Sequence, residues 1–188
     1  MLDEQKQRDA WEAAQAVAGH EIERIFREHH AMVFRAAWRV TGNAADAEDV
    51  LQTVFLRLVR RRDAGPVLDA GSYLRRAAVN AALDVVRSRQ AARTETAEAA
   101  GPLAASEAGS PERQRAGSEI RAWLRAAVAR LSPQAAEIFS LRFFEGMENS
   151  EIAAGLGTTP GTVAVTLHRA RQRLLEEFKE WMGGGNEP

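Results

Sequence analysis

The chain of 188 residues contains no cysteine. Disulfide frameworks, Cys-based zinc sites and thiolate nucleophiles are therefore excluded, and the composition suits a reducing, cytoplasmic setting. No stretch approaches the ~18 consecutive apolar residues that a membrane-spanning helix needs. The start, Met1-Leu2-Asp3-Glu4, is acidic where a secretory leader would be basic. A soluble intracellular protein is the expectation. Alternation of apolar and polar residues with period two is missing, which predicts no sheet, and no internal repeat is visible. Net charge is also nearly missing: 25 basic against 26 acidic residues leave −1. Such a balance argues against a free-standing protein that holds nucleic acid by bulk attraction.

What the chain does have is an uneven distribution of that charge. Between Arg57 and Arg93 there are nine arginines against three aspartates, a balance of +6. An acidic turn, Asp46, Glu48 and Asp49, comes just before it, and from Glu119 to Pro188 eight basic residues face nine acidic ones. The run 94–118 has one large aliphatic residue, Leu103, and no aromatic, with Gly101, Pro102, Gly109, Pro111 and Gly117 among small polar residues. It cannot bury enough surface to fold and is expected to be a flexible linker.

The resulting organisation is all-α. It has a polar N-terminal extension (1–19) able to prolong the first helix, a helical domain over 20–93, the linker, a second helical domain over 119–182, and a frayed tail over 183–188. In the first domain Ile22, Ile25, Phe26, His29, Val33, Ala36 and Ala37 recur at helical spacing up to a break at Thr41-Gly42-Asn43. Asn43 can cap a second helix with the stripe Ala47, Val50, Leu51, Val54, Phe55 and Leu58. After a loop over 63–71, Ser72 can cap a third, with Leu74, Ala77, Ala78, Ala81 and Val85 inside.

In the second domain Ile120, Leu124, Ala127, Val128 and Leu131 form one stripe. Ser132-Pro133 starts a helix through Ile138, Leu141, Phe143 and Phe144 to Gly146. A short helix then begins at Asn149 or Ser150 and closes at Gly157, and Thr159-Pro160 starts a long one. Two helices joined by a tight turn form a helix-turn-helix, the arrangement that lays a recognition helix in the major groove. On that last helix Val163, Leu167, Ala170 and Leu174 share the buried arc. Gly161, Thr162, Val165, His168, Arg169 and Gln172 share the opposite one, and the N–H groups of 160–162 could take a phosphate, although proline has none.

Sites of other chemistry are not supported. Adjacent His29 and His30 diverge by about 100° on a helix and are poor joint metal ligands. The Asp46, Glu48 and Asp49 cluster has no partner His or Lys nearby for acid–base work. The four tryptophans, Trp11, Trp38, Trp123 and Trp181, read as packing anchors. No catalytic residue, metal site or cofactor is expected.

Both domains resemble parts of one family, the bacterial extracytoplasmic-function (ECF) sigma factors. The second domain is similar to region 4 in the phrases Leu131-Ser132-Pro133, Leu141-Arg142-Phe143-Phe144-Glu145-Gly146-Met147, Glu151-Ile152-Ala153, Gly161-Thr162-Val163 and Leu167-His168-Arg169-Ala170-Arg171. The first is similar to region 2 in the run Asp46 to Leu56, then Tyr73-Leu74, Ala78-Val79-Asn80 and Asp84-Val85-Val86-Arg87. The matches fall in the family's order and cover most of the chain.

The resemblance implies a subunit that binds core RNA polymerase, recognises minus-35 and minus-10 promoter elements and promotes DNA opening without catalysis of its own. Core docking falls to the second helix, 46–62, through Asp46, Glu48, Asp49, Leu51, Gln52, Phe55 and Leu56; the acids could equally serve only the helix dipole. The minus-10 contacts implied are Arg61, Arg62, Tyr73, Arg76, Asn80 and Arg87, with a flipped base held by the loop over 63–71. Asp84 and Arg87 could instead form a plain i, i+3 pair. The minus-35 contacts implied are Thr159, Gly161, Thr162, Val165, Thr166, His168, Arg169 and Arg173. Ala164-Val165-Thr166 departs from the basic or hydroxyl-rich triplet of the family, and no aromatic precedes Tyr73 in the loop. The family also implies a monomer when free and an anti-sigma partner.

The linker arithmetic adds a constraint: 25 flexible residues average about 27 Å end to end and reach at most about 85 Å. Two DNA sites two turns apart lie roughly 70 Å from each other. A nearly stretched linker, threaded through the polymerase, is therefore expected in the working complex. The alternative function is a stand-alone helix-turn-helix regulator whose first domain senses or dimerises.

Overall fold

The computed structural model describes residues 2–60, 69–95 and 111–183, with side chains over 19–60, 69–93 and 117–183. Among the described residues there are seven helices and no strand: α1 (Leu2–Thr41), α2 (Ala44–Arg60), α3 (Ala70–Glu95), α4 (Pro111–Arg130), α5 (Pro133–Phe143), α6 (Asn149–Leu156) and α7 (Pro160–Gly183). Arg61, Arg62 and most of the expected minus-10 loop lie outside the described residues, as do 96–110 and 184–188. The expected linker is helical at both ends, because α3 runs on to Glu95 and α4 already begins at Pro111.

Helix ends follow local chemistry. Gly42, at φ +68°, ends α1 in a left-handed conformation that glycine adopts without Cβ strain. Asn43 then accepts the Asp46 N–H on Oδ1 at 3.1 Å, which caps α2 as expected. At α3 the cap is Asp69, whose Oδ1 accepts the Ser72 N–H at 3.0 Å. Ser72 is thus the donor and sits inside the first turn, so α3 begins three residues before the position its serine suggested. Ser132 caps α5, its hydroxyl accepting from the Ala135 N–H at 3.4 Å. Gly157, at φ +64°, closes α6, and the Thr159 hydroxyl accepts the Thr162 N–H at 3.1 Å to open α7.

In the first domain α1 lays Val33, Ala36, Ala37 and Val40 against Leu74, Ala78, Ala81 and Ala82 of α3, and α2 adds Ala47, Val50, Val54 and Leu58. The alanines let the helix axes approach closely, which maximises dispersion contact per turn. In the second domain Val128 and Leu131, Ile138 and Leu141, Ile152, and Val163 and Leu167 form the centre, all nearly inaccessible. The predicted buried arc of α7 (Val163, Leu167, Ala170, Leu174) is observed.

Three expected core positions are exposed. Ile120 stands midway along α4, Phe143 lies under the Arg171 guanidinium at 5.0 Å, and Phe26 faces a groove. Phe26 and Phe143 are covered only in part, by Phe55 of α2 and Arg171 of α7 respectively. Trp123 packs with Phe178 and Trp181, at centroid distances of 5.0 and 5.8 Å, whereas Trp38 is 42% exposed.

The two domains do not stand apart. Their buried side chains join in one continuous core, with α3 of the first domain packed on α4 and α5 of the second.

Candidate nucleic-acid and partner interface

The recognition helix presents its outer face to solvent. Thr159, Gly161, Thr162, Val165, His168, Arg169 and Arg173 are exposed and Thr166 is half-buried. The hydroxyls on this face are engaged locally: Thr159 and Thr162 bond each other at 2.9 Å, and Thr166 donates to the Thr162 carbonyl at 2.8 Å. Because the Thr162 N–H is also taken, only Gly161 among residues 160–162 has an N–H left to offer a phosphate. Arg173 donates to Glu177 at 3.0 Å, a solvent-exposed pair that another anion can displace at small cost. His168, Arg169 and Gln172 are left as the long polar side chains of the face, beside Val165, an apolar residue 51% exposed.

The face of α2 that the resemblance assigns to docking exposes fewer of its residues than the sequence implied. Glu48, Asp49, Gln52 and Leu56 are exposed and Leu51 is half-buried. Asp46 is buried and forms an ion pair with Arg89 of α3. A carboxylate placed between two helices loses its hydration, and the guanidinium compensates for that loss, so this acid joins α2 to α3 rather than facing a partner. Phe55 is also buried, because its ring meets Phe26 edge-on at 4.8 Å. It forms the floor of a groove of about 510 Å³ between α1 and α2, with Ile22, Phe26, Leu56 and Val59 as apolar walls and Gln52 at the rim. Sequence reasoning missed Ile22, Phe26 and Val59, whose spacing is equally that of ordinary core.

The minus-10 candidates on α3 are brought together, but against protein. Arg76 binds the Glu137 carboxylate at 2.9 Å and also the Gly155 carbonyl. Arg87 donates to the Ala129 carbonyl at 2.9 Å and to Asp84 at 3.4 Å, so the intrahelical pair exists as the longer of its two bonds. Gln90 donates to the Ala126 carbonyl at 2.9 Å. Tyr73 and Asn80 are half-buried on the same helix. Arg75, whose family role would be to track the opened strands, and Arg39, which was not anticipated, both reach Glu145, at 3.7 and 3.1 Å. In return Arg125 donates to the Arg39 carbonyl at 3.0 Å; burial, and then the charge of Arg121, pushes its pKa below the usual guanidinium range.

Among the described residues no group of three His, Asp or Glu side chains is arranged to hold a metal, and no helix is long and apolar enough to cross a membrane.

The order of parts agrees with known proteins. Residues 25–92 match the family described as Sigma-70 region 2, and residues 121–174 match Sigma-70, region 4. The ECF RNA polymerase sigma factor SigE of Mycolicibacterium smegmatis is 34% identical over 152 residues, covering 81% of this chain and 59% of its own length. The RNA polymerase sigma-E factor of Streptomyces coelicolor is 34% identical over 161 residues, covering 84% of this chain and 86% of its own length. The fold is shared with CnrH, solved with the cytosolic domain of CnrY, at a TM-score of 0.53 and 24% identity over 89% of this chain and 95% of that one. It is shared too with the sigma factor RpoE of Bartonella quintana, solved with the anti-sigma factor NepR, at 0.52 and 20% over 85% and 97%. An arginine-bearing three-helix domain followed by a helix-turn-helix, both matching in order and at this level of identity, places the chain in the ECF family of RNA polymerase sigma factors.

Proposed function

We propose that the chain works as a cytoplasmic, non-enzymatic initiation subunit that docks on core RNA polymerase through α1 and α2. In this reading it holds the minus-35 element on α7 and the opened minus-10 strand on α3. The observation that carries the reading is the pairing of region 2 with region 4 in one chain, in family order. A regulator using the helix-turn-helix alone is not favoured, since its first domain would have no reason to match a sigma region.

The chemistry of each surface suits its role. The α1–α2 groove joins apolar area to the exposed carboxylates of Glu48 and Asp49, a combination that fits a basic, apolar helical partner. On α7, Arg169 suits a phosphate or a guanine edge, and Val165 suits a thymine methyl. On α3, arginines grouped with Tyr73 and Asn80 suit a single strand, in which phosphate contacts supply affinity and unstacked bases supply specificity. The sigma factor RpoE of Bartonella quintana was solved with the anti-sigma factor NepR, and a partner of that kind is proposed here as well.

The test is run-off transcription with core polymerase on a library of genomic fragments. Promoter-specific transcripts that depend on the added chain are expected. Duplex binding by the chain alone, as a dimer, with no transcript and no stable complex with core, would overturn the reading.

A further inference from the structure

A cavity of about 250 Å³ opens between the end of α1, the helix α4 and the end of α5. Its walls combine three guanidiniums, Arg39, Arg121 and Arg125, with the rings of Trp38, Phe143 and Phe144. None of these six residues has a place in the surfaces assigned above to polymerase, to duplex or to the opened strand.

The charge around this cavity is not balanced by the protein. Among the described residues Glu145 is the single carboxylate paired with the group, and its two oxygens are already divided between Arg39 at 3.1 Å and Arg75 at 3.7 Å. Arg39, Arg75, Arg121 and Arg125 thus stand against one acid, four charges against one, which leaves a surplus of three. Arg125 gives its Nε to the Arg39 carbonyl at 3.0 Å, and neither Arg125 nor Arg121 forms an ion pair among the described residues. Cations held together in this way repel one another, and the strain is visible in the lowered pKa of Arg125, set by burial and then by Arg121. A bound anion would relieve it.

The aromatic wall adds a second kind of unmet contact. Phe143 already lies against Phe139, at 4.5 Å between centroids, and under Arg171. Trp38 is 42% exposed and meets no other ring among the described residues. A bare indole beside surplus guanidiniums suits a flat heterocycle that stacks on the ring and carries its phosphates to the arginines in forked geometry. Inorganic phosphate would leave the indole unused. A DNA strand brings only one charge per nucleotide, whereas three cations converge on a cavity smaller than the roughly 300–1,000 Å³ of pockets that enclose whole drug-sized ligands. Several charges on one small molecule fit that surplus better.

We infer that the cavity binds a nucleoside polyphosphate, with its base on Trp38 and its phosphates on Arg39, Arg121 and Arg125. The inference goes beyond the sigma reading and does not depend on it. Because α1 supplies Trp38 and Arg39 while α4 supplies Arg121 and Arg125, the ligand touches both domains and its occupancy stabilises the whole chain.

The experiment titrates the full chain calorimetrically with ATP, GTP, tripolyphosphate and a 20-nucleotide single strand, without added divalent cation. Binding of ATP or GTP is expected, with a melting midpoint raised by about 5–10 °C at a hundredfold excess over Kd. Tripolyphosphate should bind about tenfold more weakly, since it has no base to stack. Arg121→Ala removes an exposed side chain that forms no ion pair among the described residues; it should weaken nucleotide binding by about tenfold and leave the unliganded midpoint unchanged. Arg27→Ala removes the same charge from an exposed face of α1 far along the helix, and nucleotide binding should be unchanged. Trp38→Ala should abolish the preference for nucleotide over tripolyphosphate, and Trp38→Phe should keep most of it.

No nucleotide binding up to millimolar concentration would overturn the inference, as would equal affinity for tripolyphosphate in the unsubstituted chain or equal losses in Arg27→Ala and Arg121→Ala. Binding of the oligonucleotide alone, with dependence on Arg121, would also overturn it and assign the cavity to a nucleic-acid strand. Should Trp38→Ala fail to fold by circular dichroism, Arg121→Ala and the tripolyphosphate comparison decide, since neither disturbs the core. Failure of the sigma reading is a separate outcome, read from the absence of transcripts with the unsubstituted chain and core.

Discussion

Gly157, the turn of the helix-turn-helix, can be tested by adding a single methyl group. Its φ of +64° lies in the left-handed region, and its N–H closes α6 on the Ala154 carbonyl at 3.4 Å. A Cβ built at this position meets no atom within 4 Å, so Gly157→Ala adds no clash and isolates backbone strain. That strain is roughly 1–2 kcal/mol for an L-residue forced into αL, and asparagine, which tolerates αL better, should lose less than alanine. Urea unfolding followed by circular dichroism should show a lower midpoint with an unchanged slope, because neither end state changes its exposed surface.

The melting shift then reports how the domains unfold. A loss of 1.5 kcal/mol moves the midpoint by about 3–6 °C if all 188 residues melt together, but by about 6–12 °C if the second domain melts alone. The shared core and the ion pairs across the domains favour the smaller shift. An alanine variant within 0.3 kcal/mol of the parent would refute the assigned turn geometry. A loss above about 4 kcal/mol would mean that the methyl group meets atoms the structure does not place there. Gly42 makes the contrast: its φ is +68°, but an added Cβ would come within 2.6 Å of the Arg125 guanidinium. Gly42→Ala should therefore cost more than Gly157→Ala, and part of that cost should be the displacement of Arg125 from the Arg39 carbonyl.

Leu56, 54% exposed beside the α1–α2 groove, can be changed to Asp with less than about 0.5 kcal/mol change in stability. Its affinity for core polymerase, measured by pull-down titration, should fall by about tenfold or more, as expected for charge placed in an apolar contact. Arg169→Ala should weaken promoter binding of the holoenzyme and lower the slope of log affinity against log salt by about one, if the side chain meets a phosphate. Asp69 has a pKa held below the usual carboxylate range, first by the hydroxyl of Ser72 and then by its backbone N–H. Its cap on α3 is thus fully present above the unfolded value near 3.9 and is lost as pH falls through the lower folded value. Asp69→Asn, which keeps the acceptor without the charge, should remove that part of the acid sensitivity in pH-dependent melting.

The sequence by itself determined most of the helices and their caps, and the helix-turn-helix. These depend on interactions within a few residues: Asn43 and Asp46, Ser132 and Ala135, Thr159 and Thr162, and glycines at positive φ. Where two local caps competed, as at Asp69 and Ser72, composition could not rank them, and the backbone path into α3 decided for the acid. The buried arc of α7 was equally legible, since apolar residues at period 3.6 have only one face to occupy.

What only the tertiary structure decided is which charged and apolar groups remain available. Asp46 reads as a docking acid until Arg89 arrives from α3, and Phe26 reads as core until the α1–α2 groove leaves it part-exposed beside Phe55. The largest difference is between the two domains. A linker judged by composition and length implied separate bodies, up to about 85 Å apart. Instead Arg39, Arg75, Arg76 and Arg87 meet residues roughly 40 to 105 positions away in sequence, at the ends of α4, α5 and α6 and at Glu137 within α5. The net charge of −1 concealed this arrangement, because a total cannot show that the basic half and its acceptors neutralise each other in space.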